Sequence, residues 1–240
     1  MVLVHGSMDR SATFVRLGRE LRDHHVVRYD RRGYGRSLRC GVTDVQGHAD
    51  DLLAVIARSH DGRGAVVAGH SLGGDIVLAA AERRPDLVAA AVVWEAPMAW
   101  QPWWPSHTAG GAAMGGLSDD GAALAAERFL RRMLGDERWE AMPPAVRDQR
   151  RAEGAALVAE LRSLRVTAPY NPARITIPLI VGAGTRSRPH HRRAAHELAA
   201  AAVHAELVEI EGAGHAAHAT HAPEFAELVR RAIVRSGVEG

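Results

Sequence analysis

The chain has no lysine: all 30 of its basic residues are arginine. Against 28 acidic residues the net charge is only +2, yet the pI is 9.2. The two figures agree because almost nothing titrates between histidine and arginine, so the pI reflects a flat titration curve and not a basic surface. Arginines are scattered apart from pairs such as Arg131-Arg132, Arg150-Arg151 and Arg192-Arg193, and acids interleave with many of them. A nucleic-acid partner needs a concentrated basic face with aromatics among it, and none is expected here.

Cysteine is nearly absent as well. Cys40 stands alone, which excludes an intrachain disulfide and makes a reducing cytoplasm the expected location. No apolar run approaches the ~20 residues that span a bilayer. The opening Met1-Val2-Leu3-Val4-His5-Gly6 lacks the basic region of a signal peptide, so no membrane partner is expected. What remains is ordinary: 240 residues, 47% apolar and 24% charged, enough for a real core in one large α/β domain or two small ones.

Period and punctuation give a repeating strand–helix rhythm. Short apolar runs at 2–4, 26–29, 65–68, 87–94, 177–181 and 206–210 read as strands. Helical patterns fall between them near 11–22, 43–59, 72–83, 189–201 and 222–235. Buried-type strands alternating with helices predict an α/β fold, a mostly parallel sheet flanked by helices. Ligands on such sheets bind at the carboxyl ends of the strands.

Residues 98–172 break the rhythm. Trp100, Trp103 and Trp104 precede the flexible pairs Gly110-Gly111 and Gly115-Gly116, with helical patterns near 119–134 and 145–164. The expected organisation is a core of 1–97 and 173–240 and a helical cap of 98–172 that contributes a substrate pocket. Trp100 and Trp103 either line that pocket or anchor the cap.

The most informative segment is Gly69-His70-Ser71-Leu72-Gly73-Gly74, between the apolar run 65–68 and an alanine-rich helix. A serine hydroxyl is a poor nucleophile unless exposed, oriented and next to a base. The apex of a sharp strand-to-helix turn supplies the first two conditions.

Four motifs occur in order: His5-Gly6; Asp30-Arg31-Arg32-Gly33-Tyr34-Gly35-Arg36-Ser37; Gly69 to Gly74; and Gly212-Ala213-Gly214-His215. With them the chain resembles the α/β-hydrolase superfamily over nearly its whole length, and in particular small bacterial members with a helical lid. Members usually carry two strands before the His-Gly strand. The resemblance therefore implies six parallel strands rather than eight, with the 26–29 strand at an edge. An unpaired edge invites disorder or association, and a homodimer is the form association would take.

The resemblance also orders the chemistry. Ser71 is the expected nucleophile and His215 its base, since an imidazole accepts and returns a proton near neutrality. The family's aspartate place after strand 177–181 holds Thr185, which cannot carry a negative charge. Glu95, ending the strand 87–94, stands where some members put their acid, and Ser71, Glu95, His215 is the hydrolase order. The other reading makes Glu95 a substrate contact, a lid contact or a salt-bridge partner, with the enzyme working as a dyad. The backbone N–H group of Leu72 is one expected oxyanion donor, and that of Ser7, or else of Met8, is the other. His70 is structural or lines the pocket, His5 braces its loop, and Asp30 and Arg32 hold theirs. The histidines at 215, 218 and 221, or at 190, 191 and 196, match no zinc-ligand spacing, so neither metal nor cofactor is expected.

The implied activity is cofactor-free hydrolysis of a small-molecule carboxylic ester, thioester or lactone through an acyl-enzyme. Acyl transfer, carbon–carbon bond hydrolysis, and a catalytically degenerate ligand-binding homologue remain the alternatives on this fold.

Overall fold

The computed structural model describes residues 1–60, 64–118 and 121–237. Six strands, β1 Val2–Val4, β2 Val27–Arg28, β3 Ala65–His70, β4 Val88–Trp94, β5 Leu179–Gly184 and β6 Ala205–Ile210, form one sheet in the order β2-β1-β3-β4-β5-β6. Every neighbouring pair is parallel. The helices in chain order are α1 Val15–Glu20, α2 Val45–Ser59, α3 Leu72–Arg83, α4 Ala109–Met114, α5 Ala122–Leu134, α6 Asp136–Glu140, α7 Pro144–Ala152, α8 Gly154–Val166, α9 Pro189–Ala201, α10 Ala217–Thr220 and α11 Ala222–Ser236. None of the described helices is long and apolar enough to cross a membrane.

The chain divides into two compact units, 1–29 with 45–97 and 169–240, and 30–44 with 98–168. The first holds the sheet. β3 and β4 are alanine- and valine-rich and buried almost throughout, as strands covered on both faces must be. On one face Leu3, Val66, Val92 and Trp94 pack with Phe14, Leu17, Phe225 and Val229 from the segments around α1 and α11. On the other, α3 lies so close that a Cβ on Gly74 would stand 2.7 Å from Val93. The order reverses between β1 and β3, and such a reversal opens a crevice outside the strand ends. The segments leaving that crevice are His5-Gly6-Ser7-Met8 and the Ser71 turn.

β5 begins two residues later than the apolar pattern predicts and runs on to Gly184. Pro178 has no N–H for a ladder. Gly182 continues the strand because the Trp94 ring leaves no room there: a Cβ would approach it to 2.4 Å. The edge strand is shorter than expected, two residues instead of four.

The second unit covers the region expected as a cap, but it also takes in 30–44. Arg31 and Glu160 form an ion pair with both side chains fully buried. The Tyr34 hydroxyl donates to the second Glu160 oxygen at 2.8 Å, and Gly35 N–H donates to Glu153 at 2.9 Å. Glu153 is also where the helix predicted over 145–164 breaks into α7 and α8. Asp30 holds its loop by accepting from the Arg36 N–H at 3.0 Å, whereas the buried role of Arg31 has no counterpart in the local sequence pattern. Gly110-Gly111, expected to be flexible, sits in α4, capped by the Thr108 side chain. Of the helix predicted near 119–134, residues 119 and 120 lie outside the described residues, Gly121 caps the start and Ala122–Leu134 is α5.

Candidate active site

Ser71 leaves β3 at its carboxyl end with φ 54° and ψ −129° and starts α3. A left-handed backbone at a serine is costly, and the surroundings must enforce it. They do so through close approach. A Cβ on Gly73 would stand 2.2 Å from the Val4 oxygen, and one on Gly69 2.4 Å from the Gly73 oxygen, so glycine is required at both. Gly74 N–H donates to the Ser71 carbonyl at 2.7 Å and closes the turn.

Among the described residues, the non-glycine positions with positive φ are Met8, Ser71 and Glu95, at 54°, 54° and 51°. Each lies just beyond the carboxyl end of a strand: β1, β3 and β4. Backbone strain of this kind is worth on the order of 1–3 kcal/mol per residue and collects at functional sites.

Glu95 is 1% exposed. One carboxylate oxygen accepts from Gly184 N–H at 3.0 Å and from the Ser187 hydroxyl. The other lies 2.7 Å from Nδ1 of His215. A buried carboxylate is tolerable only with such partners. Thr185, at the family's aspartate place, instead accepts from Gly212 N–H at 2.9 Å and braces the loop that carries His215. Ser7 is half-buried and Leu72 buried in the segments that follow β1 and β3. A Cβ on Gly6 would lie 2.9 Å from that of Ser71, so the loop after β1 abuts the serine. Among the described residues no hydrogen bond joins Ser71 to His215. They are linked through His70, whose Nε2 bonds the His215 carbonyl at 3.0 Å.

Residues 1–228 match the alpha/beta hydrolase family. The chain belongs to that family. It is 29% identical over 237 residues, 95% of its length, to the polyketide synthase ThaQ of Burkholderia thailandensis. It is 30% identical over 99 residues, 41% of its length, to the lipase LipV of Mycobacterium tuberculosis. The chain spans only part of these relatives, 11% of ThaQ and 38% of LipV. A thermophilic esterase from Thermogutta terrifontis has the same fold, with a TM-score of 0.71 at 20% identity over 99% of this chain and 90% of that one.

Around His215 this alpha/beta hydrolase places more imidazoles than its sequence suggested. His191, from the first turn of α9, stacks on His215 at 4.4 Å with the rings 25° from parallel. His70 packs against His215 at 4.6 Å and against His218 at 4.2 Å. Burial, and then the neighbouring imidazoles, push His70 well below the ordinary histidine pKa. Burial does the same to His191 and brings His218 down to about 3. These three are neutral at pH 7 and add no positive charge beside His215.

Ser187 was not singled out in the sequence, and His191 was weighed only as one of the histidines at 190, 191 and 196. The one signal for them is proximity to the segment that follows β5. Trp100 and Trp103 are half-buried in the second unit, where the Trp103 and Trp104 rings lie 5.8 Å apart.

Proposed function

We propose that this hydrolase cleaves a carboxylic ester, thioester or lactone through an acyl-enzyme on Ser71. The observation that carries the reading is the strained serine at the end of β3, in the unit where Glu95 and His215 share a 2.7 Å contact. With Glu95 on Nδ1, the His215 lone pair belongs to Nε2, the form a general base needs. His215 takes the Ser71 proton as Oγ attacks the substrate carbonyl. The N–H groups of Leu72 and Ser7 stabilise the oxyanion. The imidazolium, held by Glu95, then protonates the leaving oxygen or sulfur. Water, deprotonated by the same imidazole, attacks the acyl-enzyme and releases the acid, restoring the Ser71 hydroxyl.

The match of nearly the whole chain to a segment of a polyketide synthase favours a polyketide-type acyl chain. His70, beside Ser71, is given a contact with that chain in this reading.

A serine-directed fluorophosphonate probe, followed by a panel of p-nitrophenyl esters, acyl thioesters and lactones, tests the proposal. Labelling and turnover should both vanish in Ser71→Ala. If the folded wild type neither labels nor turns over any member, a ligand-binding homologue is the better description. Turnover that survives Ser71→Ala would remove the serine mechanism.

A further inference from the structure

Two imidazoles and a carboxylate from three distant segments converge beside the candidate triad. Asp9 Oδ2 lies 3.9 Å from His70 Nδ1 and 3.9 Å from His218 Nε2, and all three ligand atoms fall within 4.8 Å of one another. We propose that Asp9, His70 and His218 bind one divalent transition-metal ion of the Zn2+ class.

The tautomer of His70 carries the first part of the argument. A carbonyl oxygen only accepts, so the 3.0 Å contact with the His215 carbonyl requires His70 Nε2 to hold the hydrogen. In the neutral ring the lone pair is then on Nδ1, the atom facing Asp9. That atom is buried and has no hydrogen-bond partner, although His70 as a whole is 7% exposed. A second hydrogen bond that fixes the ring and leaves the other nitrogen bare is the arrangement metal-ligating histidines use.

The rest of the site has the same character. His218 is 3% exposed, and its ring packs on Phe14 at 5.0 Å, an apolar wall of the kind that limits solvent access to a metal. Asp9 is half-buried. Its two oxygens already accept from Arg10 N–H at 2.8 Å and from the Thr13 hydroxyl at 3.1 Å, which orients the carboxylate. Two imidazoles and a carboxylate suit Zn2+, Co2+ or Fe2+ better than Mg2+ or Ca2+, which prefer all-oxygen shells. With metal–ligand bonds of about 2.0–2.2 Å, tetrahedral ligand atoms sit ~3.4 Å apart. Drawing the 3.9 Å contacts in to that spacing takes movements of about half an ångström at side-chain ends.

Spacing within the histidine-rich segments gave no metal site; the proposed set takes His218 from one of them and joins it to Asp9 and His70 from elsewhere in the chain. The ligands proposed here are Asp9 in the segment after β1, His70 at the end of β3 and His218 in α10. A bound ion would clamp together the segments that carry the candidate oxyanion donors, nucleophile and base.

The test uses the full, metal-stripped chain titrated with Co2+, followed by its visible absorption, and with Zn2+, followed by thermal unfolding. Binding to N and not to U raises the melting temperature. One equivalent should bind, and Asp9→Asn and His218→Gln should each weaken it at least tenfold. His191→Gln should leave affinity unchanged, which separates this site from Glu95, His191 and His215, whose ligand atoms also lie within 4.8 Å of one another. Asp9→Asn keeps the shape of a half-buried side chain, so it decides the matter if His218→Gln fails to fold. The absence of a saturable equivalent, unchanged affinity in Asp9→Asn, or loss confined to His191→Gln would each overturn the proposal.

Discussion

Glu95 Oε2 reaches His215 Nδ1 at 2.7 Å across 120 residues of sequence. The other oxygen of the same carboxylate is held by Gly184 N–H at 3.0 Å and by the Ser187 hydroxyl. The acid is therefore fixed on one side by β5 and its following turn, and it presents a single oxygen to the imidazole. Glu95→Gln keeps the shape but removes the charge and offers the wrong hydrogen-bonding group. The expected loss in kcat is on the order of 10²- to 10⁴-fold, measured on the best ester of the panel. Thr185→Val and Glu197→Gln should change kcat by far less, and equal effects would remove Glu95 from the triad.

Ser71 holds φ at 54°, which glycine adopts without strain. Ser71→Gly should abolish turnover and raise unfolding stability by about 1 kcal/mol as the strain is relieved. Urea denaturation reads the gain. A variant less stable than wild type would mean that the serine backbone is not under strain.

Asp75 lies fully buried in the first turn of α3, facing Tyr170. Burial pushes its carboxyl well above the usual range, and the tyrosine hydroxyl only partly offsets this. A raised pKa means that the folded state holds a proton the unfolded state gives up. The associated stability is complete below the unfolded value near 4 and is lost as pH rises through the folded value. Asp75→Asn keeps the neutral form at every pH. Stability of the variant relative to wild type should therefore grow between pH 5 and pH 8, by at most about 1.4 kcal/mol per pH unit. Parallel pH profiles for the two proteins would contradict this.

The Arg31–Glu160 pair is fully buried on both sides. Removing one partner strands the other charge, so Glu160→Gln should cost about 3–5 kcal/mol. The exposed pair Arg84–Asp86 is the control, and Asp86→Asn should leave the denaturation midpoint unchanged. Chemical denaturation of the two variants side by side checks the contrast.

Much of this was legible in the sequence because it is local. The turn at Ser71 declares itself through Gly69 and Gly73, and the parallel sheet through short, doubly buried apolar runs. The absence of an acid at Thr185 directed attention to Glu95 before any contact was known. The extension of β5 through Gly182 was not legible, since glycine ordinarily weakens a strand and only the Trp94 ring explains it. The buried role of Arg31 was not legible either. Nothing near residue 31 in the chain shows that Glu160 will meet it.

By itself, then, the sequence determined the order of strands and helices, the strained turn and the residue types available to the site, because periodicity and steric demands act over a few neighbours. It named His215 as the expected base, but it could not decide which others of the 14 histidines gather around that ring. Only the parallel sheet settles that, by bringing the ends of β1, β3, β4, β5 and β6 to one edge. There burial and hydrogen-bond satisfaction choose partners that spacing along the chain does not encode.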